Sequence, residues 1–165
     1  MIETKPTDKD IVQILDLHFL GLQGAIGAYA LPHAGGVALV ECGPGSTIPA
    51  LLAGLASLGY KACDITDVFL THIHLDHAGA SGWLARQGAT IHVHPAGAAH
   101  MLDPEKLLAS AKRIYQDQMD YLWGEFLPVP ADKLSVTADN DVVEFGGQNI
   151  RVLEAPGRRH QRQSD

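Results

Sequence analysis

The sequence predicts an α/β fold, and three observations predict it. The run Val68-Phe69-Leu70 is apolar at consecutive positions, which suits a strand buried on both faces, as is typical of a sheet covered by helices. Two longer stretches, one opening after Gly45 and one after Asp103, repeat their apolar residues at helical spacing. Around them lie short extended segments separated by glycine and proline turns.

Taken in chain order, residues 11–20 and 26–42 read as short strands, with a hairpin turn at Ala34-Gly35-Gly36. The segment "GPGSTIPALLAGLASLGY" opens a helix. Ser46 or Thr47 is placed to cap it, Pro49 is tolerated in its first turn, and Ile48, Leu51, Leu52, Leu55 and Leu58 form its buried stripe. Gly59 ends it. "DVFLTH" is the buried strand, "ASGWLARQG" a short helix, and "TIHVHP" a short strand stopped by Pro95. From Asp103-Pro104 runs the longest helical stretch. Its stripe from Leu107 to Trp123, with Ile114, Tyr115 and Met119 on it, reads as a core face. "VVEFGGQNIRVLEA" is a hairpin turning at Gly146-Gly147. After Gly157 the composition breaks to "RRHQRQSD", which has no apolar residue, so residues 1–157 read as one domain and 158–165 as a polar tail.

Composition narrows the function. A chain of 165 residues with net charge −7 is one domain and a poor match to nucleic acid. Its start, "MIETKPTDKD", lacks the apolar core of a signal peptide, and no run is long enough to span a bilayer. Cys42 and Cys63 read as reduced thiols. A cytoplasmic location, a small-molecule substrate and no membrane partner are the expectations, with self-association left open.

Directly after the buried strand comes "THIHLDHAGA", with three histidines and an aspartate between His72 and His77. Imidazole nitrogen and carboxylate oxygen together suit zinc, and also iron or manganese. Alternate positions in an extended loop aim His72 and His74 at one ion. Asp76 and His77, on the turn into the next helix, can aim at a second. Gly79 and Gly82 let backbone approach closely behind this loop. His92 and His94 share one side of a strand, which reads as structural, with His94 at the border of a site; His100 is similar, and His18 and His33 carry no context.

The stretch "VFLTHIHLDHAGASGWL" resembles the metal-binding loop of the metallo-β-lactamase fold superfamily, and "LVECGPGST" is similar to its early strand-turn motif. "HPAGAAHMLDPEKLLASAKRIYQDQMDYLWG" resembles a branch of hydrolases near the hydroxyacylglutathione hydrolases. The resemblance implies an αββα sandwich with one or two metal ions, zinc first, at one sheet edge. His72 and His74 would ligate the first metal, and Asp76 and His77 the second. A hydroxide between the metals would attack an ester, thioester or lactone carbonyl, with Asp76 orienting it as well as binding metal. In the same branch the segment 104–124 lies over the mouth of the site, which would put Tyr115 or Trp123 against substrate.

Two positions depart from the pattern. Glu41 replaces the usual aspartate of the strand-turn motif, and the sequence leaves open whether it braces the metal loop or is a plain surface residue. Pro156-Gly157 is followed by Arg158 where the family has a histidine ligand, and His160 lies two residues further on. The second half of the sandwich is therefore expected to be largely missing, with weak metal binding, low hydrolase activity and exposed apolar surface. A truncated or frame-altered, catalytically impaired metal-binding fragment is the alternative to a working hydrolase. A single-iron sulfur dioxygenase is the further alternative.

Overall fold

The structure, a computed structural model, describes residues 12–155. Arg158, His160 and the polar tail lie outside the described residues. Its centre is a six-stranded sheet in which sequence order is also spatial order. Strands β1 (Gln13–Asp16), β2 (Gly27–His33) and β3 (Gly36–Val40) pair antiparallel. From β3 onward the sheet is parallel through β4 (Ile65–Phe69), β5 (Thr90–Val93) and β6 (Leu134–Val136). Parallel neighbours need crossovers, and helices α1 (Ile48–Ser57), α2 (Leu75–Ala78), α3 (Ser81–Gln87), α4 (Pro95–Leu102), α5 (Glu105–Tyr115) and α6 (Met119–Trp123) supply them.

One face of the sheet packs Leu15, Leu39, Val68 and Ile91 against Leu51 and Leu55 of α1 and Leu84 of α3. The opposite face carries a smaller core, Ala38 and Phe69 with Phe145, covered by the hairpin of β7 (Val142–Phe145) and β8 (Gln148–Arg151). Gly146 and Gly147 turn that hairpin with φ of 52° and 78°, the sign that a tight two-residue turn needs. A helix-covered sheet facing a second β layer is the expected architecture. Among the described residues that second layer is this single hairpin. The facing pair Ile14 and Tyr29 stays 73% and 42% exposed beside it.

Four sequence expectations need correction. The strand expected over 11–20 stops at Asp16, because its carboxylate accepts the His18 and Gly24 N–H groups and turns the chain. Neither Ser46 nor Thr47 caps α1. Their hydroxyls donate instead to the carbonyls of Leu122 and Pro44. Pro95 does not merely stop β5 but opens α4, with His94 as N-cap accepting from Ala96 N–H. Strand β6, only three residues long, carried no sequence signal.

The long helical stretch breaks at Gln116, whose φ is 49°, so α5 ends at Tyr115 and α6 begins only at Met119. Ile114 leaves the stripe and is 71% exposed, while Leu107, Leu108, Met119 and Trp123 pack partly buried on the core. Tyr115 meets Trp123 edge-on at 5.0 Å, and Trp123 stacks on Phe19 at 5.5 Å. The two aromatics therefore hold α6 to the domain. Tyr115→Phe keeps these ring contacts and removes only a hydroxyl. It is expected to shift the thermal midpoint by no more than about 2 °C, within the ±0.5 kcal/mol usual where no such feature is lost. A larger loss of activity with an unchanged midpoint would instead place Tyr115 against substrate.

Candidate metal centre

The centre is built where β4 runs out. Val68, Phe69 and Leu70 are buried on both sides of the sheet, which fixes the point from which the loop departs. Thr71 N–H donates to Glu41 Oε1 at 3.1 Å, and residues 72–74 run on without regular structure. Leu75, 6% exposed, anchors the short helix α2 in the main core, so Asp76 and His77 project from a fixed turn. Behind α2 the chain is clamped to the strand-turn segment 41–45. Cys42 N–H donates to the His77 carbonyl and Ala80 N–H to that of Gly43, both at 2.9 Å. Gly79 sits directly on Pro44 and Gly82 on Leu127, the close approaches expected of these two glycines.

This scaffold sets the four residues singled out in the sequence side by side, but the donor atoms that converge as a group are those of His72 and His77 with Glu41, with His74 and Asp76 at its margin. The rings of His72 and His77 lie 4.0 Å apart and those of His72 and His74 4.7 Å apart. The His77 ring stands between two carboxylates, with Nδ1 3.3 Å from Glu41 Oε2 and Nε2 3.2 Å from Asp76 Oδ2. Glu41 is no surface residue. It is 5% exposed, and donor atoms of Glu41, His72 and His77 all lie within 4.8 Å of one another. The sequence signal for Glu41 was its place in the strand-turn motif; its burial comes only from the tertiary fold.

Electrostatics favour a cation here. Burial, reinforced by His77 and His74 beside it, holds the His72 imidazole below its usual pKa, against the pull of Glu41 and Asp76. His72 is thus held toward the neutral form that can ligate a metal. Glu41 Oε2 is buried without a hydrogen-bond partner, an arrangement a cation would relieve. Two imidazoles and a carboxylate are donors that zinc, iron and manganese all accept. The residues fit a divalent ion. Cys42 does not join them. Burial and then the Glu41 charge push its thiol up, so it stays protonated and donates to the His77 carbonyl.

The other histidines divide as structure dictates. His92 is buried, bonded through Nε2 to Asp67 Oδ1 at 2.7 Å and stacked on Phe69. Desolvation tends to raise the Asp67 pKa, but the bonds from His92 and Thr66 outweigh it and leave it lowered. His33 bridges Thr66 and the Gly35 N–H at the β2–β3 turn. His94, besides capping α4, lines a cavity of about 730 Å³ beside the centre. His72, Ile73, Phe69, Thr137 and Leu153 line it as well. A cavity of this size accommodates a small organic molecule.

Compared with known protein families, residues 22–162 match the metallo-β-lactamase superfamily. The chain belongs to that superfamily. Comparison with the curated proteins gives no match. Among solved structures, a metallo-β-lactamase family protein from Thermus thermophilus is 26% identical with a TM-score of 0.65. The match covers 86% of this chain and 50% of that one. The metallo-β-lactamase FEZ-1 of Legionella gormanii is 20% identical with a TM-score of 0.66, covering 88% of this chain and 50% of its own. The metallo-β-lactamase SMB-1, solved in a complex with mercaptoacetic acid, is 22% identical with a TM-score of 0.65, covering 88% and 51%. This metallo-β-lactamase-fold chain thus spans about half the length of the solved structures it matches. Among the described residues no helix is long and apolar enough to cross a membrane.

Proposed function

We propose that this chain carries the metal-binding half of a metal-dependent hydrolase acting on an ester, thioester or lactone. The observation that carries the reading is the chain of contacts from His74 to His72, from His72 to His77 and from His77 to Asp76 at the end of β4, beside a cavity of about 730 Å³ lined by His72. In this reading His72 and His74 hold a first ion and Asp76 and His77 a second, with zinc the first candidate and iron or manganese the others. A bound ion supplies an acidified water, its pKa brought to about 7, and a polarised substrate carbonyl. Leu75 and the bonds to the strand-turn segment keep the ligand loop in place. The Asp76 side chain, 41% exposed, orients the attacking water and takes its proton. The apolar wall of Phe69, Ile73 and Leu153 receives the organic part of the substrate.

Asp76→Asn tests this assignment of roles. Asparagine keeps the shape but cannot accept the proton, and ester or thioester hydrolysis should fall about 10²-fold or more. The thermal midpoint should be nearly unchanged, because Asp76 is 41% exposed and, among the described residues, its ion pair is the one with His77. Full activity in that variant would remove Asp76 from the chemistry.

A further inference from the structure

His92 is held from several sides, yet one of its ring nitrogens is left over. The residue is 5% exposed, and its ring stacks on Phe69 at 4.4 Å with 11° between the planes. Its carbonyl accepts from Leu70 N–H at 3.0 Å, and its Nε2 lies 2.7 Å from Asp67 Oδ1. A carboxylate only accepts, so Nε2 carries the proton of that bond. In the neutral ring Nδ1 is then a lone-pair acceptor, and it is buried with no hydrogen-bond partner. A buried acceptor is costly to leave unpaired, so a ligand that donates to it is rewarded. His92 also lines the cavity of about 730 Å³ beside the metal centre, as Phe69, Ile73, Thr137 and Leu153 do. Among the described residues no lysine or arginine lines that cavity, and Glu154 does. Its wall therefore suits an uncharged group better than a carboxylate.

We propose that His92 Nδ1 accepts a hydrogen bond from an uncharged donor, a hydroxyl or an amide N–H, on the organic part of a molecule bound in this cavity. The proposal rests on the reading that the cavity receives substrate, and it names what that substrate carries: a neutral hydrogen-bond donor set apart from the reacting carbonyl. Asp67 is the positioning residue, because its bond to Nε2 decides which nitrogen of the ring is bare. Phe69 holds the plane of the ring and supplies apolar wall beside it. His92 sets specificity in this arrangement. A molecule without the donor leaves Nδ1 unpaired, and a site built around a polar partner rejects such an analogue more strongly than an apolar wall rejects one methylene.

Nitrogen NMR of the metal-free full chain, isotope-labelled in histidine, tests the site with benzyl alcohol and with benzyl methyl ether, a probe of similar shape that cannot donate. Benzyl alcohol should move the His92 Nδ1 resonance saturably to lower frequency, as acceptance of a hydrogen bond does. It should also bind about tenfold tighter than the ether, the worth of one such bond. N-methylbenzamide against N,N-dimethylbenzamide makes the same comparison for an amide N–H. His92→Phe keeps a ring to stack on Phe69 and should bring each donor and its blocked partner to equal affinity. If that variant loses its near-ultraviolet circular dichroism, the Nδ1 shift in the wild-type chain decides the matter. An Nδ1 resonance that neither the alcohol nor the secondary amide moves would overturn the proposal. Inertness of the metal-loaded chain toward esters, thioesters and lactones, with the Nδ1 shift still present, would remove the hydrolase reading and leave this acceptor standing.

Discussion

Protein purified as the double variant His72→Ala/His74→Ala is expected to carry no zinc, iron or manganese, whereas the parent chain carries at least one of them. The two imidazoles occupy the middle of the cluster. His72 touches both neighbours, with ring separations of 4.7 Å to His74 and 4.0 Å to His77, and removing both rings leaves His77 with carboxylates alone. Catalytic zinc sites hold the ion with about three protein ligands, so losing two is a loss of binding and not a weakening. Both side chains stand on an exposed loop, so the fold should survive the change. Elemental analysis of the two purified proteins checks it, and equal metal content would remove the loop from the centre. Because imidazole ligates only as the neutral ring, the parent's affinity should also fall as pH is lowered through the histidine range.

The second large effect concerns the backing of the loop. A Cβ at position 79 would lie 2.6 Å from both the Leu75 carbonyl oxygen and Pro44 Cα, and one at position 82 would run into the Leu127 carbonyl. Both obstacles are backbone and cannot turn aside as a side chain would. Gly82→Ala should therefore cost about 3 kcal/mol, the upper part of the range for overpacking. For a domain of this size that lowers the thermal midpoint by roughly 6–12 °C. Gly79→Ala should be comparably destabilising and should also weaken metal binding, since it shifts α2, which carries Asp76 and His77. A midpoint within about 2 °C of the parent for both variants would mean that the loop is not clamped as described.

What was legible in the sequence was local. Val68-Phe69-Leu70 announced a strand buried on both faces, and the histidines that follow it could only emerge at its carboxyl end. The stripe of α1 and the Gly146-Gly147 turn were readable for the same reason, because periodicity and positive φ leave marks in residue type. The misses depend on partners distant in the chain. Nothing in "YQDQM" breaks a helix, yet the helix breaks at Gln116, and beyond it Leu122 and Gly124 are held against Ser46. Strand β6 exists because β5 offers it an edge. Pro95 looks the same in sequence whether it stops a strand or starts a helix. Glu41 shows the limit most clearly: its residue type was visible, but its burial against His77 is set by residues about thirty positions away.

Hydrolysis of a panel containing an ester, a thioester, a lactone and a β-lactam, measured before and after metal removal, tests the central claim most directly. The chain loaded with zinc, iron or manganese should hydrolyse at least one of the first three classes, lose that activity to a chelator, and regain it when the metal is returned. Turnover that survives complete metal removal, or a fully metal-loaded chain inert toward the whole panel, would contradict it.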